Sequence, residues 1–192
     1  MRNTLMIMAL ASLVACGAWA QDPALCQTGY TGAVGEYFEA DQGVVQQVAG
    51  ILSAPEDLPV VFFVARHAGQ DPAVVAGQRA AGQSWLQVMR ANRLEPDILH
   101  MQVRGFVLSP IFQPIFDKFV EDNPAQWRQA QLTDRDVVNL VNLRFIADQY
   151  DYSIYRVMVL RDKGNSYAQI NQNVMQVTQA KDGQGKAAAA GF

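Results

Sequence analysis

Two cysteines and two histidines are all that the 192 residues of this chain offer toward thiol or metal chemistry. Neither His67 nor His100 has a Cys or a carboxylate at zinc-ligand spacing, so no metal site and no cofactor is expected. No serine stands in a G-x-S-x-G elbow. With only Cys16 and Cys26 there is no disulfide framework, and stability must come from an apolar core. Charge is scarce as well, at 17% of residues. Arg79, Arg90, Arg93 and Arg104 are interleaved with Asp71, Glu95 and Asp97, which leaves no clean basic face and argues against a nucleic-acid partner. The apolar run Leu5 to Ala15 is eleven residues long. A bilayer crossing needs about 20, so no transmembrane span is expected.

What is present begins with an export signal. Arg2, the run Leu5 to Ala15 and the small residues after it have the three-part layout of a signal peptide over residues 1–20. Two processing patterns overlap there. Ala18-Trp19-Ala20 before Gln21 is an A-x-A cleavage site and gives a soluble product, while Leu13-Val14-Ala15-Cys16 resembles a bacterial lipobox and implies lipidation at Cys16. Either route places the product in the periplasm or cell envelope. Without Arg2 the chain carries 14 basic and 18 acidic residues, a net charge of −4, which also disfavours a polyanion.

A hydrophobic fraction of 50% implies a folded domain, expected as a single helical unit over 21–178. Residues 22–32 read as a loose lead-in, because Pro23 and the glycines at 29, 32 and 35 look like turn punctuation. In that arm Cys26 would be an accessible thiol or an intermolecular link. Val44, Val45, Val48, Ile51 and Leu52 give a helical period within 36–52. Leu58 to Ala68 is apolar nearly all round, which predicts a buried helix, with a strand over Val60 to Val64 as the alternative. Asp71-Pro72 starts the next helix, Gly82 stops it, and Ser84-Trp85 opens another.

The same pattern returns 82 positions later. Phe63, Ala65, Val75, Arg79, Gly82, Ser84 and Gln87 meet identical residues at 145, 147, 157, 161, 164, 166 and 169. Asp71 meets Ser153, both cap formers, and Trp85 meets Tyr167. The expected fold is therefore all-α: short helices in two helix-turn-helix-like repeat units, 63–88 and 145–170, packed as one domain. Each unit would place an Arg at the negative end of a helix, a left-handed Gly after it, and a capped helix next.

The motifs LPVVFFVA, GQSWLQV and DVVNLVNLRFIAD resemble those of uncharacterised bacterial exported proteins over residues of roughly 57–170. That resemblance implies an exported protein and imports no activity and no functional residue.

Between the units lies an insertion of loop and helix over 93–132. Met101 to Arg104 alternates like a short edge strand before Gly105. Pro-Ile-Phe then occurs twice at a spacing of four. Phe106, Ile111, Phe112, Ile115, Phe116 and Phe119 form either a partner-binding surface or a core-filling connection. After Gln179 the composition predicts a disordered tail over 179–192. Asp117, Glu121 and Asp122 could supply an acid and a base, but Lys118 and Asn123 beside them suggest a solvated face. The expectation is a helical binding or scaffold protein of the envelope that presents a surface to a macromolecular partner or a small ligand. The alternative is an enzyme of unrecognised class acting in the envelope.

Overall fold

The computed structural model describes residues 22–103, 109–119 and 123–189, and these are helical throughout, with ten α-helices and no strand among them. The expected cleavage and lipidation sites, Cys16 included, and Phe106 lie outside the described residues.

The first helix replaces the expected loose lead-in. Helix α1 spans Pro23–Phe38, with Asp22 capping it through Ala24 N–H at 2.9 Å and Pro23 in the first turn. It buries Cys26, Tyr30 and Val34, so Cys26 is a core residue and not an accessible thiol. Helix α1 runs through all three glycines read as turns, and two of them serve packing. A Cβ on Gly29 would lie 3.2 Å from Gln172 Oε1, and one on Gly35 would lie 2.2 Å from Gln42 Nε2. The bare backbone lets neighbouring side chains lie against α1 at those points. The chain reverses at Glu39, whose φ is 53°, and α2 follows over Gln42–Ile51 with Asp41 as its cap. The apolar period Val44 to Leu52 thus falls on α2 and its C-cap, while 36–38 end α1.

Helix α3, Leu58–Ala68, buries every residue from Leu58 to Ala65, as its all-round apolarity predicts, and excludes the strand alternative. Helix α8, Asp134–Gln149, lies against it as the second central element and carries Leu140, Val141, Leu143, Phe145 and Ile146 into the same core. Tyr30 and Tyr37 of α1 close over Phe145 edge-on, with ring centroids 5.8 and 5.3 Å away.

Each central helix is followed by a sharp corner. After α3 come α4, Pro72–Ala80, and α5, Trp85–Ala91. After α8 come α9, Ile154–Asp162, and α10, Tyr167–Ala189. Gly82 has φ 85° and Gly164 has φ 87°, a region in which a side chain is strained. Ser84 Oγ accepts from Gln87 N–H at 3.3 Å while Gln87 Oε1 accepts from Ser84 N–H at 2.8 Å. Ser166 and Gln169 exchange the same pair of bonds at 3.3 and 2.9 Å. Each corner is thereby closed by a capping box. Helix α10 continues to Ala189, past the position where the composition predicts order to end.

The insertion is irregular. Residues 101–103 form no strand, and Arg104 lies outside the described residues. A run this short has no neighbouring strand to satisfy its N–H and C=O groups. The rest is two short helices, α6 at Gln113–Phe116 and α7 at Pro124–Trp127, with a 3-10 turn at Asp117–Phe119 between them.

Candidate functional site

The aromatic segment 109–119 is folded inward. Phe112, Ile115 and Phe119 are buried in the core, and Ile111 and Phe116 are half-buried and packed against it. Ser109, 4% exposed, anchors the segment by accepting from Phe112 N–H and donating its hydroxyl to Asp162, both at 3.0 Å. Alternating Pro, Ile and Phe cannot reveal from sequence which side faces the domain. Here the apolar side does, so these residues fill the core instead of presenting a broad docking face.

The histidines and the acidic candidates are also occupied. His67 places Nδ1 2.8 Å from the carbonyl of Phe63 and its ring against the Phe63 ring. His100 stacks on Trp127 with centroids 3.6 Å apart. Asp117 accepts from Gln113 Nε2 at 2.6 Å, while Glu121 and Asp122 lie outside the described residues. No group of three or more metal-ligating side chains occurs among the described residues.

The richest polar chemistry lies where the two corners meet the starts of the central helices. Arg79 of α4 donates from Nε to Asp57 Oδ2 at 3.0 Å and from Nη1 to Asp134 Oδ2 at 2.6 Å. Burial works against the charge of Arg79, but the hydrogen bonds to the two carboxylates outweigh it and raise its pKa. Asp134 also accepts from Trp85 N–H at 2.7 Å. In the other corner, Arg161 of α9 makes a two-pronged contact with Glu56 at 3.2 and 3.1 Å, and Glu56 Oε1 accepts from Tyr167 N–H at 3.1 Å. Each arginine also caps its own turn, Arg79 at the Gln83 carbonyl and Arg161 at the Asn165 carbonyl. The guanidinium of Arg79 lies over the Trp85 ring and that of Arg161 over the Tyr167 ring.

Behind these ion pairs sit buried hydrogen bonds. Trp85 Nε1 donates to Asp57 Oδ1 at 2.9 Å, and Tyr167 OH donates to Asn139 Oδ1 at 2.8 Å. Tyr30 OH donates to Asn142 Oδ1, and Asn142 Nδ2 donates to the Glu56 and Val138 carbonyls, both at 2.9 Å. Burial, reinforced by the charge of Glu56, holds the Tyr30 phenol well above its ordinary pKa. Burial also raises that of Tyr167, against the opposing charge of Arg161.

A cavity of about 250 Å³ opens beside this network, lined among the described residues by Ile111, Arg135, Asn139, Arg161 and Gly164. Two wider clefts lie elsewhere. One, of about 390 Å³ between α1 and α2, is lined by neutral groups including Gln27, Thr31, Gln46 and Ser53. The other, of about 410 Å³, has Phe38, Val44 and Phe62 in its wall beside Arg66, Glu39 and Asp41.

The small cavity differs because its polar lining donates. The guanidinium of Arg135, exposed on the first turn of α8, has no hydrogen-bond or ion-pair partner among the described residues. Sequence reading singled out neither Arg135 nor Asn139. An available signal was that Asp57 and Asn139 also fall 82 positions apart, Asn139 as a polar residue inside an apolar run. No family model, no curated protein and no solved structure matches this chain, so the reading of the site rests on its geometry.

Proposed function

We propose that this is an exported helical binding protein of the cell envelope, built from two related three-helix units, that holds a small ligand in the cavity beneath α8 and α9. The observation that carries the reading is that the polar side chains lining that cavity, among the described residues, offer donors. Arg135, Arg161 and the free amide nitrogen of Asn139 can position an acceptor, whereas none of them can take up a proton in the ordinary pH range. Such a lining binds and orients but lacks a general base.

The unit structure supports the same reading. The two corners share their left-handed glycine, capping box, arginine and aromatic, and each arginine reaches a carboxylate at the start of the other unit's first helix. A scaffold tied across its centre in this way holds a pocket in one shape. The sequence features at 1–20, and the resemblance to exported proteins, support delivery to the envelope, as a soluble chain from Gln21 or one lipidated at Cys16.

The test is a thermal-shift panel on the processed protein, covering small anions, cations and neutral polar molecules, with each ligand analysed after recovery. Saturable stabilisation by a ligand recovered unchanged supports the reading. Conversion of that ligand, or stabilisation by none of the panel, overturns it. Intact mass spectrometry of the protein from an exporting cell should show a start at Gln21 or a lipidated Cys16, and a majority species that retains Met1 would remove the envelope assignment.

A further inference from the structure

The two corners differ at one place in a way that alters the chemistry. In the first, Asp57 uses both oxygens inside the protein: Oδ1 accepts from Trp85 Nε1 and Oδ2 from Arg79 Nε. In the second, the residue 82 positions on is Asn139, and Tyr167 OH takes its Oδ1. An amide nitrogen cannot accept from Arg161 as Asp57 Oδ2 accepts from Arg79. Arg161 is turned onto Glu56 with both Nη atoms instead. Asn139 is only 2% exposed, it lines the cavity, and its Nδ2 donates to no described group.

Among the described residues the charge of Arg135 is likewise unmatched. Arg135 is flanked in sequence by Asp134 and Asp136, but both are committed elsewhere. Asp134 is held by Arg79 and Trp85 N–H. Asp136 is held by Lys118 at 2.7 Å and by Thr133 N–H at 2.8 Å. Asp162, at the end of α9, accepts from Ser109. Among the described residues no carboxylate therefore pairs with Arg135 at the cavity, whose wall also includes Ile111 and Arg161, the latter paired with Glu56.

We infer that the cavity lined by Arg135, Asn139 and Arg161 is a binding site for a small carboxylate with a short apolar body. Arg135 holds the carboxylate by charge, Asn139 Nδ2 donates to one of its oxygens, and Ile111 packs against the carbon chain. This rests on the binding role proposed above and names the ligand class for it. A volume of about 250 Å³ suits a molecule of a few carbons.

Isothermal titration with succinate as probe, at constant ionic strength, tests it, with succinamide as the neutral analogue, putrescine as the cationic one and chloride as the simple anion. Succinate should bind saturably and succinamide, putrescine and chloride should not. Arg135→Gln, at an exposed position, should keep the unliganded melting temperature and weaken succinate by about tenfold or more. Asn139→Asp should abolish binding by putting a carboxylate where the donor stood. Succinate binding that R135Q leaves unchanged overturns the site. Binding of putrescine or succinamide in place of succinate overturns the carboxylate while leaving the binding role intact. If no probe binds in this titration or in the wider panel, both fall.

Discussion

Glu56 and Asp134 stand in equivalent relation to the two corners: each accepts from the main-chain N–H of an aromatic that opens a helix and from the arginine that ends the helix before it. Glu56 belongs to the turn entering α3 and serves the corner after α8, while Asp134 opens α8 and serves the corner after α3. Each central helix therefore begins by fastening the other's corner.

The fastening predicts unequal stability losses. Glu56→Ala leaves Arg161, a side chain only 17% exposed, without its counter-charge and Tyr167 N–H without its acceptor. The expected cost is about 2–3 kcal/mol in urea unfolding. Asp134→Ala should cost less, because the Asp134 side chain is 38% exposed and Arg79 keeps Asp57.

The glycines give a contrast of sign. No atom lies within 4 Å of a Cβ placed on Gly82, Gly164 or Gly77, so only the backbone distinguishes the three. Gly82→Ala and Gly164→Ala force a side chain into the left-handed region and should each destabilise by about 1 kcal/mol. Gly77→Ala, inside α4, should stabilise by about 0.5–1 kcal/mol. Thermal melts of the three variants check both directions.

Much of this was legible in the sequence wherever one local cause decided the structure. Asp71-Pro72, the stop at Gly82 and the Ser84 cap are short-range signals, and each appears where expected. The burial of α3 follows from apolarity on every face. Failures came where the cause lay far along the chain. Gly29 means turn or close packing depending on Gln172, which sequence spacing does not bring near. The cavity needed Asn139, Arg161 and Ile111 together, and only the folded corner assembles them.

The inward fold of the insertion makes its aromatics structural. Phe112 is fully buried, so Phe112→Ala should cost about 3 kcal/mol or more, whereas Phe116→Ala, on the half-buried side, should cost less. Equilibrium unfolding of the two variants checks the order. Equal and negligible losses would return this segment to the surface.

Alkaline pH should unfold the protein through its tyrosines. Burial pushes Tyr37 and Tyr150 up to about 12, with the charges of Asp148 and Glu36 respectively adding to it, and burial holds Tyr30 and Tyr167 well above the ordinary value of 10. A raised folded-state pKa contributes stability that is complete below the unfolded value of about 10 and is lost as pH rises above it. Tyrosinate absorbance from these groups should therefore grow in step with loss of helical circular dichroism above pH 10. Their complete ionisation in a still-helical protein would contradict the assignment.

The role proposed for this protein is to hold a small molecule and leave it unchanged. The most direct measurement is native mass spectrometry of the protein purified from its own envelope, followed by denaturation and identification of whatever is released. The account predicts one small molecule per chain, released intact and not altered when returned to the refolded protein. A stoichiometric macromolecular partner in its place, or conversion of the returned molecule, would contradict it.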